Sequence, residues 1–278
     1  MAVFTAAAFR VIPSFSRSLE AQQHLNFYRN ISFDFYSDFK NKNKIKKSEN
    51  KNENGKKKNK IPKFLIIKDV SFWYDKNKII LNKLNSKIKL SGVIGIYGDS
   101  GSGKSTLVDL ILGFLKPLTG EILLNNNINV NKNLKTLNNW RSLLGFVPQS
   151  INILDETIEK NIALGKNANE INSEKINEIL KVCILEDFVR SKSKGINTIL
   201  GEKGSKISGG QKQKIGIARA LYFEPKILIM DEATNALDKK NESNILKNLI
   251  ASKIVKCIFL ITHNKNLLNK CNQKIKVN

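Results

Sequence analysis

The sequence has few of the residues that build metal centres and disulfide frameworks. Its 278 residues include only three cysteines, Cys183, Cys257 and Cys271, whose wide spacing fits no zinc or disulfide pattern. The two histidines, His24 and His263, cannot form a metal cluster by themselves. These shortages argue against a disulfide-stapled secreted domain, and they favour a reducing cytoplasmic compartment.

Long apolar runs are also missing. No stretch of about 20 apolar residues occurs, so the sequence predicts no helix that crosses a bilayer. The apolar run 1–8 has no basic region before it and no clear cleavage site after it, so a secretory signal is not expected. A transit-like N-terminal segment stays an open alternative, because this region contains Arg10, Arg17 and several serines. With 41% hydrophobic residues, the chain can still bury a core.

Acidic residues are scarce relative to basic ones, and the formal net charge is +23. Residues 40–63 contain eleven lysines and two glutamates, so this short stretch supplies +9 of that charge. Two explanations stay open at this point. Either the composition is biased towards Lys, Asn and Ile, or a basic surface faces anionic lipid or nucleic acid.

Composition and hydrophobic pattern divide the chain into three parts. Residues 1–38 form an N-terminal segment, in which 15–28 has the pattern of an amphipathic helix. Residues 39–61 form a Lys/Asn-rich linker with too few apolar groups to fold. In residues 62–278 short apolar runs alternate with helical patterns, and this part is predicted to be the folded domain.

The apolar runs of the folded part indicate an α/β architecture. Four short segments are mostly apolar, as expected of strands buried on both faces: 92–98, 143–147, 227–230 and 254–262. Such strands, separated by helices, imply a mostly parallel sheet covered on both sides. Residues 64–70 and 79–90 alternate like antiparallel strands, and 169–190 has helical spacing. No internal repeat is visible.

A glycine-rich segment follows the first of these buried strands. Gly98, Gly103, Lys104 and Ser105 fit the G-x-x-x-x-G-K-[ST] pattern of a phosphate-binding loop, and the helical run 106–114 comes directly after it. Glycines let backbone N–H groups encircle a phosphate, and the start of a helix adds the positive end of a dipole. Lys104 is predicted to reach the β- and γ-phosphates of a nucleotide, and Ser105 to ligate Mg²⁺.

Two acids end another buried strand. The apolar run 227–230 leads directly into Asp231 and Glu232. An acid at the end of a strand beside a phosphate loop is placed to hold Mg²⁺ through water, which suits Asp231. Glu232 is then predicted to orient or deprotonate the attacking water. The alternative, a pair of surface acids at a strand end, loses weight beside the phosphate loop.

The segment between these motifs points to a family. Ile207, Ser208, Gly209, Gly210 and Gln211 precede a helix rich in Ala, Ile and Arg, and they resemble the signature motif of ABC ATPases. Further motifs follow in the order of that family: an adenine-stacking aromatic residue at Tyr74, a Q-loop glutamine at Gln149, a D-loop at 235–238 and a switch histidine at His263. The resemblance covers about residues 62–278.

Together the motifs and the resemblance imply a fold and a site. The fold is an α/β P-loop NTPase with a mostly parallel core sheet, an antiparallel β subdomain and a helical subdomain at about residues 150–212. The predicted catalytic residues are Glu232, His263 and Lys104. The predicted ATP-binding residues are Tyr74, Gly98, Asp99, Ser100, Gly101, Ser102, Gly103, Lys104, Ser105, Thr106 and Gln149. The predicted Mg²⁺ ligands are Ser105, Gln149 and Asp231.

The resemblance also implies partners. In the family the signature, here Ser208, Gly209, Gly210 and Gln211, serves the ATP bound to a partner protomer, and Asp238 belongs to the D-loop. A head-to-tail dimer with a second ATP-binding domain is therefore expected. Residues 157–162 and 198–204 resemble exporter segments, and 150–165 is similar to lipid-linked oligosaccharide flippases and related lipid exporters. We expect an ATP-hydrolysing exporter subunit on the cytoplasmic face of a membrane, attached through a transmembrane partner.

The N-terminal part leaves alternatives open. In exporters of this family the membrane domain usually precedes the ATPase on one chain, whereas about 60 residues do so here. Residues 6–25 resemble the end of the last transmembrane helix, so the membrane domain is expected on a separate chain or is missing from this one. An unrelated docking helix is the alternative for this segment. A truncated half-transporter without activity is the alternative for the whole chain.

Two positions depart from the family pattern, and one rival function remains. Ile207 replaces a leucine in the signature, and Asn235 replaces a serine in the D-loop, which puts the D-loop contact in doubt. The rival is a soluble ABC ATPase that acts on nucleic acid or ribosomes through its basic charge. The chain has no long coiled-coil insertion and no second ATPase domain, so nucleic acid is not an expected partner.

Overall fold

The computed structural model describes residues 61–75, 78–125 and 128–277. These residues belong to a compact unit that spans Asn59–Asn278. The predicted N-terminal segment 1–38 and nearly all of the predicted linker 39–61 lie outside the described residues, and the division of the chain at those boundaries stays a prediction.

One sheet of the described unit is antiparallel. It contains β1 (Phe64–Asp75), β2 (Lys78–Lys89), β4 (Thr119–Leu124) and β5 (Ile128–Asn129), in the order β2-β1-β4-β5. Leu65 and Ile67 of β1 are buried, because successive side chains of a strand point to opposite faces and these two lie on the core face. The antiparallel pairing of β1 with β2 confirms the alternation seen in the sequence, whereas β4 and β5 were not predicted.

The second sheet is parallel throughout. It contains β3 (Gly92–Tyr97), β6 (Leu144–Val147), β7 (Ile227–Asp231), β8 (Cys257–Ile261) and β9 (Gln273–Lys276), in the order β6-β7-β8-β3-β9. Every residue of β8 is buried, as expected of a central strand covered on both faces. The predicted fold class is confirmed by these two sheets and the helices around them. Because the strands are parallel, the segments that follow β3, β7 and β8 leave the sheet at one edge.

Eight α-helices connect or cover the strands of the described residues. They are α1 (Lys104–Leu112), α2 (Leu134–Arg141), α3 (Ile158–Ile162), α4 (Ser173–Val182), α5 (Glu186–Arg190), α6 (Gly209–Tyr222), α7 (Lys239–Ser252) and α8 (Lys265–Leu268). Short 3-10 turns lie at 168–170, 195–197 and 202–204. Among the helices of the described residues, none combines the length and the hydropathy that crossing a membrane requires.

Two predicted elements are shorter or broken in the structure. The helix predicted over 169–190 is interrupted between α4 and α5, where Ile184 takes a left-handed conformation with φ 54° and Leu185 is buried. The strand predicted over 254–262 begins only at Cys257. The cause is α7, which runs to Ser252 and ends on Lys253 at φ 54°, so the chain must turn before it can enter β8.

The core consists of two apolar clusters that share the parallel sheet. Phe259 and Ile261 of β8 belong to the cluster that also holds Trp140 and the apolar side of α1. Ile258 and Leu260, which point to the opposite face, belong to the cluster formed with α3, α4, α6 and α7. Trp140 is fully buried, and its indole N–H donates to the carbonyl of Ile111 at 2.7 Å. The sheet is thus held from both sides, and this fixes the position of its carboxyl edge.

Candidate functional site

The glycine-rich loop joins β3 to α1 in a conformation that only glycines take readily. Gly101 and Gly103 have φ values of 77° and 94°, and Gly103 caps the start of α1. A Cβ atom on Gly103 would lie 2.8 Å from the Cγ2 atom of Ile80, so a larger residue would collide with β2. Asp99, Ser100 and Gly101 form the exposed outer part of the loop. The predicted phosphate-binding residues are therefore brought together at the start of a helix.

Lys104 lies inside this loop and is only 7% exposed. Its Nζ atom donates to the carbonyl oxygens of Gly98, at 3.1 Å, and Asp99, at 2.7 Å. An ammonium group has three donors, so the loop carbonyls use two of them. The hydroxyl of Ser102 is buried in the same loop and has no hydrogen-bond partner among the described residues. A bound phosphate would offer an acceptor to the third donor of Lys104 and to the hydroxyl of Ser102, as buried donors require.

Tyr74 stands beside the start of α1. It is the penultimate residue of β1, and the residue is 67% exposed. Its hydroxyl lies 3.5 Å from the hydroxyl of Thr106. The ring of Phe72 packs edge-on against it, with 5.0 Å between the centroids. Tyr74 therefore combines an exposed ring with a position close to the phosphate loop, as stacking on a base would require.

Asp231 ends β7 and forms a hydrogen bond with the hydroxyl of Ser105. Burial raises the pKa of Asp231, the bond from Ser105 opposes this shift, and the negative charges of Glu232 and Asp109 add to it. The positive charge of Lys104 acts in the opposite direction and lowers the pKa of Asp231. A hydroxyl and a carboxylate oxygen are ligands that Mg²⁺ accepts, so this pair fits the predicted metal site.

Glu232 lies one residue beyond β7 in a strained conformation. Its φ of 49° is unusual for a residue with a side chain, and its backbone N–H donates to the carbonyl of Ile261 at 3.1 Å. Three side chains meet its carboxylate. The amides of Gln149 and Asn235 donate to Oε2, both at 2.9 Å, and Nε2 of His263 lies 3.1 Å from Oε1.

The structure thus brings three of the predicted site residues into direct contact. Gln149 follows β6, Glu232 follows β7 and His263 follows β8, so neighbouring strands supply them. The amide nitrogen of Gln149 faces Glu232, and its contact with Mg²⁺ stays a prediction. Asn235 was not predicted as a contact of Glu232. The only feature of the sequence that drew attention to Asn235 was that it replaces the serine of the family's D-loop pattern.

The signature residues form the start of α6. The hydroxyl of Ser208 accepts the backbone N–H of Gln211, and the side chain of Gln211 accepts the backbone N–H of Ser208, which makes a capping box. A Cβ atom on Gly210 would lie 3.2 Å from the carbonyl oxygen of Ala236. Gln213 accepts the backbone N–H of Ala236 at 2.9 Å. The signature and the D-loop are therefore packed against each other.

These two motifs line one open pocket. Its walls are Ser208, Gly209, Gly210, Gln211, Lys214, Ala236, Leu237, Asp238 and Asn241. Asp238 caps α7 by accepting the backbone N–H of Asn241 at 2.7 Å, and this bond lowers the pKa of Asp238. No residue of the phosphate loop lines this pocket. The signature pocket is therefore separate from the phosphate loop of the same chain.

Comparison with known proteins agrees with this geometry. A family model described as ABC transporter matches residues 81–235, which is more than half of the chain. The chain belongs to the ABC transporter family. Its described residues match the ATP-binding part of that family, and they contain the phosphate loop, the acids that follow β7 and the signature.

Relatives of this ABC transporter domain include exporters. The alpha-hemolysin translocation ATP-binding protein HlyB of Escherichia coli O157:H7 is 40% identical over 211 residues, which cover 75% of this chain and 29% of that protein. The ATP-dependent lipid A-core flippase of Francisella tularensis subsp. holarctica is 40% identical over 195 residues, covering 70% and 31%. The chain spans about a third of the length of the curated relatives it matches.

A solved structure shares the fold of this ABC transporter domain. It is a bacterial Atm1-family ABC exporter with ATP bound, and it aligns with a TM-score of 0.71 at 31% identity. The alignment covers 78% of this chain and 37% of that one. The chain therefore shares the fold of a little over a third of that exporter chain.

Proposed function

We propose that this chain is the ATP-hydrolysing subunit of an exporter or flippase and powers translocation through a membrane domain. One observation carries the proposal: Gln149 and His263 converge on the carboxylate of Glu232 at the edge of the sheet where the phosphate loop also lies. An acid held there can act on a water molecule that attacks the terminal phosphate. The exporter names of the relatives support the transport role.

The roles of the site residues follow from their positions. The N–H groups of the loop and the start of α1 would hold the phosphates of ATP, and Lys104 would turn from the loop carbonyls to them. Ser105 and Asp231 would hold Mg²⁺, which supplies charge neutralisation at the phosphates. Glu232 would accept a proton from the attacking water, and His263 would contact the terminal phosphate. Tyr74 would stack on the adenine.

A second ATP-binding domain is the proposed partner. Ser208, Gly209 and Gly210 line a pocket that the phosphate loop of the same chain does not reach. In a head-to-tail dimer, this pocket would face the ATP of the partner, and Asp238 would lie at the contact. Closing the dimer around ATP and reopening it after hydrolysis would supply the motion that drives transport.

The membrane domain is the other proposed partner. The relatives include translocation and flippase proteins about three times as long as the matched part. A membrane domain, on a separate chain or missing from this one, would hold this chain at the cytoplasmic face of a membrane. Copurification with membranes tests this placement, whereas salt-sensitive binding to nucleic acid without a membrane subunit would contradict it.

The hydrolytic role is tested with Glu232→Gln. The amide has nearly the shape of the carboxylate but cannot accept the proton, so turnover should fall by at least about a hundredfold, the lower range of a lost general base. ATP affinity, measured with a fluorescent nucleotide, should change little. Lys104→Ala is the complementary variant, because it should lose affinity as well. Wild-type turnover in Glu232→Gln would show that the base lies elsewhere.

A further inference from the structure

A second glutamate of the same region is buried, and each of its two carboxylate oxygens accepts a hydrogen bond. Glu242 lies in the first turn of α7 and is only 6% exposed. The hydroxyl of Thr234 donates to its Oε1 at 2.6 Å, and the amide of Asn264 donates to its Oε2 at 2.9 Å. A buried carboxylate is costly unless it is paired or hydrogen-bonded, and the start of a helix favours its charge. The arrangement therefore depends on both of these donors.

The two donors belong to the two loops that carry the predicted chemistry. Thr234 lies two residues after Glu232 in the loop that follows β7. Asn264 is the residue directly after His263 in the loop that follows β8. A single carboxylate thus ties the backbone beside the predicted base to the backbone beside the predicted switch histidine.

The amide of Asn264 cannot reverse its orientation without a further loss. Its Oδ1 atom caps α8 by accepting the backbone N–H of Asn266 at 3.0 Å. Its own backbone N–H donates to the hydroxyl of Thr262 at 3.0 Å. Since the oxygen is already used at the cap, only the nitrogen can face Glu242. This contact consequently requires an acceptor at position 242.

Glu242 is also connected to the dimer-facing pocket. Its backbone N–H donates to the carbonyl of Asp238 at 2.9 Å, and Asp238 caps α7 where the helix meets the signature pocket. A displacement of the D-loop by a partner domain would move the start of α7. The side chain of Glu242 would move with it.

We propose that Glu242 is a positioning residue that couples the D-loop and α7 to the orientation of Glu232 and His263. The coupling works through the bonds to Thr234 and Asn264, which hold the two loops at a fixed distance from the first turn of α7. The inference deepens the proposed hydrolytic function and rests on it. Glu242 itself contacts neither nucleotide nor water in this scheme.

The first variant is Glu242→Gln in the full chain. The amide keeps an oxygen for Thr234 but turns an N–H₂ group towards the N–H₂ group of Asn264, so the second bond is lost. We expect kcat to fall about tenfold, the effect of losing a buried hydrogen bond to a charged group, while KM for ATP stays within about twofold. A loss that appears in KM instead would contradict the proposal.

A reciprocal double variant distinguishes positioning from general destabilisation. Glu242→Gln combined with Asn264→Asp exchanges the carboxylate and the amide across the same contact, so the hydrogen bond runs in the reverse direction. Aspartate also serves as a helix cap, so α8 keeps its start. We expect the double variant to recover most of the kcat that Glu242→Gln loses. Failure to recover, with normal thermal stability, would overturn the proposal.

Asn248→Ala is the matched control on the same helix. Its amide donates from α7 to the carbonyl of Val182 at 3.2 Å, away from both loops. Removing this bond should lower Tm slightly, with kcat unchanged. If the control lowers kcat as much as Glu242→Gln does, the effect belongs to α7 as a whole and Glu242 has no special role.

A readout without ATP separates this inference from the proposed function. The chain has only two histidines, His24 and His263, so histidine ring signals in an NMR spectrum are readily assigned. Glu242→Gln should move the ring signals of His263 and leave those of His24 in place, and the double variant should restore them. Unmoved His263 signals would overturn the inference. A wild-type chain without ATPase activity but with the expected shifts would contradict only the proposed hydrolytic function.

Discussion

At the scale of single residues, the site depends on how many donors meet one carboxylate. A carboxylate offers about four lone-pair sites. Gln149 and Asn235 both donate to Oε2 of Glu232, and His263 lies at Oε1. Little room is left for a hydrogen bond from an attacking water. The structure therefore shows the carboxylate of Glu232 held by its neighbours, and in the proposed mechanism these contacts must loosen before Glu232 can accept a proton from water.

Asn235→Ser tests this view of Glu232. The serine side chain is too short to reach Oε2, so one lone pair becomes open to water. We expect kcat for ATP hydrolysis to rise between about twofold and tenfold, the range for one modest hydrogen bond, with KM unchanged. Asn235→Ala is the control for the new hydroxyl and should give the same increase. A lower kcat in both variants would mean that Asn235 helps to align Glu232.

At the scale of secondary-structure elements, α6 has two tasks at its first turn. Ser208 caps the helix through the N–H of Gln211, and Ser208 also lines the signature pocket. Without a ligand, the hydroxyl of Ser208 accepts the N–H of Gln211. A phosphate bound in the pocket would compete with this hydroxyl for the free N–H groups of the first turn. The start of α6 is therefore where helix stability and nucleotide contact can be separated.

Ser208→Asp separates them by charge. Aspartate is as good a cap as serine and suits the helix dipole, so Tm should be unchanged or higher. Its negative charge would repel the partner's phosphate, so ATPase activity should fall by at least about tenfold, since opposed like charges cost several kcal/mol. Ser208→Ala is the control and should lose about 1 kcal/mol of stability. Full activity in Ser208→Asp would remove Ser208 from the nucleotide contact.

At the scale of the whole molecule, the buried carboxylate of Asp231 lowers the stability of the folded state when it is ionised, and the rest of the fold must compensate. The pKa of Asp231 is raised mainly by burial, so the folded chain holds this proton more tightly than the unfolded chain does. Above that raised pKa the ionised carboxylate destabilises the folded state. The two apolar clusters on either side of the parallel sheet offset this cost.

Asp231→Asn should therefore stabilise the nucleotide-free chain. We expect a higher Tm at pH 7, a smaller gain as the pH falls through the raised pKa, and no gain below the ordinary pKa of an aspartate. The control is Glu224→Gln, because the hydrogen bond from Lys175 lowers the pKa of Glu224. Removing the carboxylate should therefore lower Tm at pH values above this lowered pKa. Thermal unfolding from pH 3 to pH 8 measures both. A lower Tm in Asp231→Asn at pH 7 would contradict the burial argument.

Local patterns in the sequence were enough for several features of this protein. The strand–glycine–helix order around Lys104 predicted the phosphate loop, because that chemistry needs neighbouring residues. Apolar runs predicted four of the five parallel strands in the described residues, since burial on both faces leaves few polar positions, whereas β9 was not predicted. The sequence did not predict the break at Ile184 or the late start of β8, because both follow from how α4 and α7 end against the core.

Tertiary structure alone decided how distant segments meet. Gln149, Glu232 and His263 follow three neighbouring strands, and their contact exists only because the sheet order is β6-β7-β8. The bond from Asn235 depends on the left-handed turn at Glu232, and the position of Glu242 depends on packing α7 against two loops. Sequence by itself determined the residue types and the family of the site. The long-range hydrogen bonds that connect its parts came from the packed fold, because no local pattern encodes a contact between separate strands.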